Sequence, residues 1–584
     1  MKHISIIIIF ITFLISKPFA QALPIGMDGT FDDWTNTTAN YTDTQDDGAS
    51  YDLLSFSVSN DSTNFFIKFT LDQEIQLNYG NNLYLEIDAD NNPATGLSIN
   101  GIGAELEINF GWKDFNYYTT SGNKIDISHS IINFVALPTV TSDTYEISIG
   151  RDVLPDNIHQ LFTSNTIKLF FADFNSGGDY MPNSGTFEYT FDNSDVETYQ
   201  PIGFEKDNLN DIRLMTYNTL YDGLISSSER IAAFQRIITA VNPDIITFNE
   251  CWNTEWYDAK NLLNNWLPIS NGASWDCRKI DAGNITCSKY DIINNYSITT
   301  NPIVKSYTTR ITASLIDLPS NYPKNIIVIN SHLKASGGSS NDMQRQMEVD
   351  SIISFIHKIK TEGDGIIENI PYGTPFVISG DLNLVGDSQQ LTTLLTGKQE
   401  NGQILPPDWD NSNLNNVISY HTDERMAYTI AEESSSYWPG RIDYAICSDV
   451  GMSVRKAYTI HTSTMSPERL VQYGLNSDDT DVASDHLPKV TDFIIEDAVE
   501  TINNSILEKL QIQPNPSFSG EFLINSSDKI NDIEVFNILG QSIILKNKIN
   551  SFMFLLNLKT YNNGIFFVKV SSDNSERIFK IIKQ

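Results

Sequence analysis

The apolar run Pro375-Phe-Val-Ile-Ser-Gly-Asp381-Leu-Asn383 ends abruptly on a carboxylate and a carboxamide. A strand that stops on polar side chains places them at the rim of a sheet, where groups from other strands can join them. Further on the chain reads Ala483-Ser-Asp485-His486-Leu-Pro. An aspartate–histidine pair brought to such a rim can complete a metal-dependent phosphate site. Phosphate esters resist attack because their oxygens repel a nucleophile, so a hard divalent cation has to offset that charge. Magnesium prefers oxygen ligands and keeps several waters, so one or two carboxylates suffice. Between residues 211 and 496, further segments of the same kind occur: Thr216-Tyr-Asn218, Phe248-Asn-Glu250, Asn330-Ser-His332-Leu-Lys and Gly440-Arg-Ile-Asp443-Tyr.

The elements that position these groups alternate. Ile212–Asn218 and Pro243–Glu250 read as strands, and so does Ile326–His332. Between the first two, Ile231, Phe234, Ile237, Ile238 and Val241 repeat at helical spacing behind Ser228, a candidate cap. Met343–Ile359 reads as a second amphipathic helix. Strands alternating with helices, with polar groups at strand ends, indicate a layered α/β domain over 211–496.

The ordered segments resemble the endonuclease/exonuclease/phosphatase superfamily, also called DNase I-like. The resemblance implies a four-layer α-β-β-α sandwich and a metal-dependent phosphoric ester hydrolase. It places Glu250 as first-choice ligand of Mg²⁺ (or Mn²⁺ or Ca²⁺), Asn218 beside the metal, and Asp485 as a direct or water-mediated ligand. It implies that Asp443 orients His486 and that His332 protonates or hydrogen-bonds the phosphoryl and leaving oxygens. Asp381 would position the attacking water and Asn383 would hold a phosphoryl oxygen. Whether Asp381 or His486 is the general base stays open at this level. Asn249 stands where the family often has Gln, and the Tyr or Asn with which abasic-site endonucleases recognise phosphate is not found. Arg310 could clamp a phosphate or form a structural ion pair; Lys334 and Arg345 are weaker candidates. Trp252, Trp256 and Trp266 are expected in the core, with base stacking as the alternative. His129, His159, His357, His421 and His461 are expected as surface or satisfied core groups.

The flanks differ in character. Residues 1–22 read as an export signal: Lys2, an apolar Ile4–Ile15 core and a small-residue site at Ala20-Gln-Ala22. That core is shorter than the roughly 20 residues of a membrane span. Residues 23–198 look like a β-sandwich of short alternating strands. Asp28-Gly-Thr-Phe-Asp-Asp-Trp34 and Leu85–Gly96 resemble family 9-type carbohydrate-binding modules, which implies a glycan partner. There Asp88, Asp90 and Asn92, at alternate positions, could offer oxygens to Ca²⁺; an Asx-rich turn is the alternative. Polar linkers are expected at 199–210 and 497–510. Residues 511–584, with Pro514-Asn-Pro516, Ile533–Gly540, Gly564–Val570 and a final Ile-Phe-Lys-Ile-Ile-Lys-Gln584, resemble the C-terminal sorting domain of type IX secretion cargo. That resemblance implies a small β-sandwich read by the export machinery, followed by secretion or surface attachment.

Composition narrows the function. The formal charge of −35 argues against a permanent basic groove for nucleic acid, but a metal can offset the field at a turnover site. Of 4 cysteines, Cys277 and Cys287 flank a turn-like centre and could bridge a hairpin, whereas Cys251 and Cys447 sit in apolar strands. Three functions follow: an extracellular nuclease, a phospholipid (sphingomyelinase-like) or sugar/inositol phosphate phosphoesterase, and a surface glycan-binding protein with an inactive enzyme domain. The polar 400–440 segment, which lacks an apolar hairpin, favours the first over a lipase.

Overall fold

A computed structural model describes residues 24–45, 48–193, 199–280, 283–298, 310–361, 370–430, 438–497, 511–572 and 576–584. The expected export signal and nearly all of the 497–510 linker lie outside the described residues. The chain forms two compact units, Met1–Ala498 and Val499–Gln584.

Two six-stranded sheets build the centre of the first unit. One runs in the order Asp276–Arg278, Gly283–Ser288, Ile245–Cys251, Ile212–Asn218, Lys489–Ile495 and Met452–Thr459. The other runs Ile292–Ser297, Ile311–Ile316, Ile326–Ser331, Phe376–Asp381, Asp443–Cys447 and Asn415–Asn416. Their strands are apolar on both faces because each face meets a core. Leu214 and Val328 point into a shared core between the sheets. Met215 and Tyr217, alternating with Leu214, meet Phe234 and Ile237 of the helix Ser228–Val241. Ile327 and Ile329 meet Ile352 and Ile356 of the helix Ser339–Thr361. The stacking is consistent with four layers, and each such buried side chain contributes roughly 1.5–3 kcal/mol.

Local chemistry sets the element ends. The first helix is capped by Ser227 rather than Ser228: the Ser227 hydroxyl accepts from Arg230 N at 3.2 Å. The second helix runs a turn longer than its apolar repeat, because its first turn is polar. Cys277 and Cys287 face each other across the hairpin and form a disulfide, while Cys251 and Cys447 are buried thiols.

N-terminal to this core stand a five-stranded and a seven-stranded sheet around a second large core. The Asp28–Trp34 turn is explained by Glu146, which accepts from Asp28 N, Gly29 N and Trp34 Nε1 at 2.7–3.0 Å. The segment 199–210 is packed rather than a free linker: Phe204 is buried and stacks on Tyr458 and Tyr473. The C-terminal unit is a sheet whose strands alternate Phe522/Ile524 and Ile533/Val535 into their own core. Among the described residues no helix is long and apolar enough to cross a membrane.

Candidate active site

Each chemistry-bearing residue sits at a strand end on one rim. Asn218 and Asp381 close their strands, and Glu250 is the penultimate residue of its own. His332 follows Ile326–Ser331, and Asp443 opens the antiparallel strand paired with Asp381. His486 lies just before Lys489–Ile495. Gly380 lets the Asp381 strand approach its neighbour. At its φ of +131°, a Cβ would fall 2.1 Å from Ser331 O. Asn249, the residue that departs from the family pattern, accepts Asp381 N on its Oδ1 at 3.0 Å. Its Nδ2 donates to Asn284 and Asn330, so a buried carboxamide network holds the Asp381 backbone from behind.

The loop after Asn218 is strained. Leu220, Tyr221 and Asp222 have φ of 44°, 49° and 65°, and Glu250 has φ of 58°. Left-handed backbone costs a non-glycine residue roughly 1–2 kcal/mol and persists where surrounding contacts enforce it. Asp222 accepts from Asn253 N and Thr254 N at 2.7 and 2.8 Å. Arg230 Nη2 donates to the Thr219, Leu220 and Ala483 carbonyls. The result is Tyr221 N directed at Glu250 Oε2, 3.0 Å away. Nothing in the sequence around Asp222 or Arg230 flagged them.

The side chains converge. Asn218 Nδ2 donates to Asp381 Oδ2 at 3.0 Å and Glu250 Oε1 at 3.2 Å, and stands 3.3 Å from His486 Nε2. Its Oδ1 accepts Leu220 N, which turns the nitrogen, not the oxygen, toward the carboxylates. His332 Nε2 lies 3.6 Å from Asp381 Oδ2 and 4.0 Å from Glu250 Oε1. His486 Nδ1 pairs with Asp443 Oδ2 at 2.8 Å, and its Nε2 faces Asp381 at 3.8 Å. Asn383 is buried with φ of 48°, and Asp485 is half-buried; both line the same cleft. Thr429 Oγ1 accepts Ile442 N and Asp443 N and so fixes the start of the Asp443 strand.

Burial and charge split the two histidines. Burial, then the nearby Arg310 and His486 charges, push His332 well below its ordinary range, so it is neutral. Arg310 Nη1 donates to its Nδ1 at 3.2 Å, which leaves the proton on Nε2, toward Asp381. Burial pulls His486 down as well, but Asp443 and Asp381 outweigh it and hold the imidazolium up to about 10. Burial raises Asp381 to about 7, with His486 opposing.

The arrangement fits a divalent cation. Glu250, Asp381 and Asp485 line one cleft, and no Lys or Arg lines it among the described residues. A carboxylate from Glu250 and one from Asp381 lie within 4.8 Å of each other and of His332. Hard oxygen donors in excess of positive charge are what Mg²⁺ requires.

The remaining candidates separate. Arg310 makes no ion pair among the described residues; its guanidinium lies 5.2 Å over the Trp252 ring. Arg345 is fully buried and structural, donating to Lys334 O and Ser336 O. Lys334, half-buried, stands close enough to His332 to depress it. Only Trp266 of the three tryptophans joins the core. Trp252 lies tilted against His332, ring centroids 5.9 Å apart, and Trp256 is 41% exposed. The reason is that Trp256 opens its helix on the outer face. His159 is exposed, His357 half-buried and His129 buried. His421 and His461 cluster with Glu424, but their ring nitrogens are taken by Glu424, Tyr428 and Ser463, so they are satisfied core groups.

In the sandwich, Asp88 and Asp90 meet Glu105, a residue the sequence reading missed, with ligand oxygens within 4.8 Å. Asp88 Oδ2 and Glu105 Oε1 are buried without a hydrogen-bond partner among the described residues. Burial raises both carboxyls, Glu105 to about 7. Asn92 is exposed; its backbone N–H, not its carboxamide, serves Asp88 and Asp90. This donor set also fits a hard cation.

Residues 215–486 match the Endonuclease/Exonuclease/phosphatase family, and residues 511–584 match the secretion system C-terminal sorting domain. The central domain is thus an endonuclease/exonuclease/phosphatase domain, a phosphoesterase fold with a DNase I-like rim. The terminal domain assigns the chain to type IX export, secreted or attached at the cell surface. Solved structures resembling the chain include an endonuclease/exonuclease/phosphatase from Beutenbergia cavernae DSM 12333, 13% identical over 64% of this chain and 100% of that chain, with TM-score 0.31. The human Nocturnin catalytic domain with bound sulfate is 18% identical over 51% and 96%, with TM-score 0.33. D. rerio TDP2 complexed with single strand DNA product is 13% identical over 49% and 99%, with TM-score 0.32. No curated protein matches the chain.

Proposed function

We propose that this phosphoesterase is a divalent-metal-dependent phosphodiesterase acting on nucleic acid outside the cell. The observation that carries the reading is the convergence of Glu250, Asp381, Asp485, His332 and His486 on one cleft. Glu250 and Asp485, with Asn218 beside them, would hold Mg²⁺, for which Mn²⁺ or Ca²⁺ can substitute by the same oxygen preference; once bound, the ion neutralises phosphoryl charge. Asp381, poised near neutrality, takes the proton of the attacking water. The His486 imidazolium, held by Asp443, stabilises charge on the phosphoryl oxygens and so is not the base. His332 presents Nε2–H to the phosphoryl or leaving oxygen, and Asn383 holds a phosphoryl oxygen.

A nucleic-acid substrate is favoured over lipid by the packing of the 400–440 aromatics. Trp409 Nε1 donates to Thr374 O, and Trp438 is buried among Phe115 and Phe134. Neither is offered to a membrane. We further propose Ca²⁺ at Asp88, Asp90 and Glu105 as a structural ion. The test is hydrolysis of single-stranded DNA, RNA, sphingomyelin and inositol phosphates by the full chain with Mg²⁺, beside EDTA and His486→Ala. Nucleic-acid cleavage lost in both controls is expected. Cleavage of only lipid or inositol phosphate would overturn the substrate, and activity surviving EDTA would overturn the metal.

A further inference from the structure

The catalytic groups form only one side of their cleft. The opposite side comes from the N-terminal sandwich: Gln76, Leu77, Asn78, Pro138 and Thr139. This wall is fixed to the catalytic rim. Thr139 Oγ1 donates to Leu384 O at 2.7 Å and Arg441 O at 3.2 Å, one residue from Asn383 and two from Asp443 respectively. Thr141 N donates to Gly386 O at 2.7 Å, and Trp438 inserts its ring 5.3 Å from Phe134 in the sandwich core. Inside the wall, Asn81 Nδ2 holds the Gln76 and Leu77 carbonyls at 2.8 Å. Gln76 Nε2 donates to Asn78 Oδ1 at 2.9 Å, while Gln76 Oε1 is buried and accepts no hydrogen bond from the described residues. A buried acceptor without a donor is costly unless a ligand supplies one.

Three properties define what fits. The cleft measures about 230 Å³, below the roughly 300–1,000 Å³ typical of pockets for drug-sized molecules. Carboxamides and a hydroxyl with apolar Leu77, Pro138 and Ile430 suit a neutral group that has hydrogen-bonding edges and flat faces. The absence of Lys or Arg along the lining among the described residues gives no path for a continuous polyanion, which binds through cationic contacts. A nucleoside at a chain end meets all three conditions; an internal nucleotide offers the same base but carries charged strand on both sides, and so fails the third.

We propose that Gln76, Asn78 and Thr139 of the sandwich are specificity residues that receive a terminal nucleoside, so that the enzyme removes nucleotides from single-strand ends rather than cutting within a strand. The proposal rests on the nucleic-acid phosphodiesterase reading. The sandwich then belongs to the substrate cleft, whether or not it also binds glycan.

The test uses the full chain with Mg²⁺ on linear single-stranded DNA, the same sequence closed into a circle, a dinucleotide and bis-p-nitrophenyl phosphate. Linear strand and dinucleotide should be consumed while the circle stays intact. Gln76→Ala and Asn78→Ala, each checked for an unchanged melting temperature, should raise KM for the dinucleotide by about tenfold, the scale of a lost substrate hydrogen bond. Turnover of the chromogenic diester, which has no nucleoside, should hold within about twofold. Nicking of the circle at the linear rate would overturn the inference and leave the nuclease reading standing. So would an unchanged dinucleotide KM in both folded variants. Hydrolysis of the chromogenic diester without any of the nucleic acids would remove the nuclease reading, and this inference with it.

Discussion

Asp443→Asn isolates the electrostatic part of the proposed mechanism. Asp443 is 1% exposed and its Oδ2 sits 2.8 Å from His486 Nδ1, so the pair is shielded from solvent. The imidazolium persists against burial chiefly because of this carboxylate. Charge centres roughly 4 Å apart at an effective dielectric of about 20 interact by about 4 kcal/mol. Asparagine keeps the volume and an acceptor for Nδ1–H but removes that charge. Losing about 4 kcal/mol brings the imidazolium from about 10 down toward neutrality, so if it acts on the transition state kcat at pH 8 falls about tenfold, with KM little changed. The assay is steady-state hydrolysis of bis-p-nitrophenyl phosphate with Mg²⁺, next to thermal unfolding followed by circular dichroism. A folded variant whose kcat at pH 8 stays within about twofold of the parent would refute the reasoning, because the pair would then be structural.

Other perturbations test the parts around it. Gly380→Ala should destabilise the fold by more than about 1 kcal/mol and lower kcat, because its Cβ would collide with Ser331 O at a φ of +131°; chemical denaturation measures this, and a neutral result would mean the rim relaxes. Glu86 is fully buried, neither oxygen has a hydrogen-bond partner among the described residues, and burial followed by Glu107 pushes its carboxyl well above the ordinary range. Because the folded state keeps this proton longer than the unfolded chain, its contribution is full below the ordinary glutamate value and is lost as pH rises toward the folded value. Glu86→Gln should therefore flatten the decline in melting temperature with rising pH and stabilise the protein at pH 8 by about 1–3 kcal/mol; parallel curves for parent and variant would count against a buried neutral acid. Ca²⁺ at 100 times its dissociation constant should stabilise the sandwich by about 2.7 kcal/mol, and Glu105→Gln should abolish the shift. Equal shifts in parent and variant would exclude Glu105 as a ligand.

Much of the site was legible in the chain because it is built from strand ends. An apolar run closing on Gly380-Asp381-Leu382-Asn383, and the companion segments at Asn218, Glu250, His332, Asp443 and His486, can be read locally. Alternation along a strand decides which side chains face a core, and the strand's last residue must face solvent or partners. The Cys277–Cys287 bridge was legible for the same reason, since a hairpin turn brings its flanks together. The tryptophans show the limit. Their place on a helix beside a strand, and the tendency of aromatics to be buried, put all three in the core, yet only packing decided that Trp266 enters it, Trp252 backs His332 and Trp256 stays exposed. Glu105, which completes the Asp88–Asp90 cluster, lies at the bend just before the neighbouring strand Leu106–Asn109 and has no spacing relation to that turn. Arg310's hold on the His332 tautomer and the sandwich wall at Gln76 likewise join residues distant in sequence. The sequence by itself determined the strands, their ends, the chemistry they carry and the route of export, all of which are properties of short segments. Which segments meet across a cleft is set by how whole sheets bury their apolar faces against one another, and that was decided only by the tertiary structure.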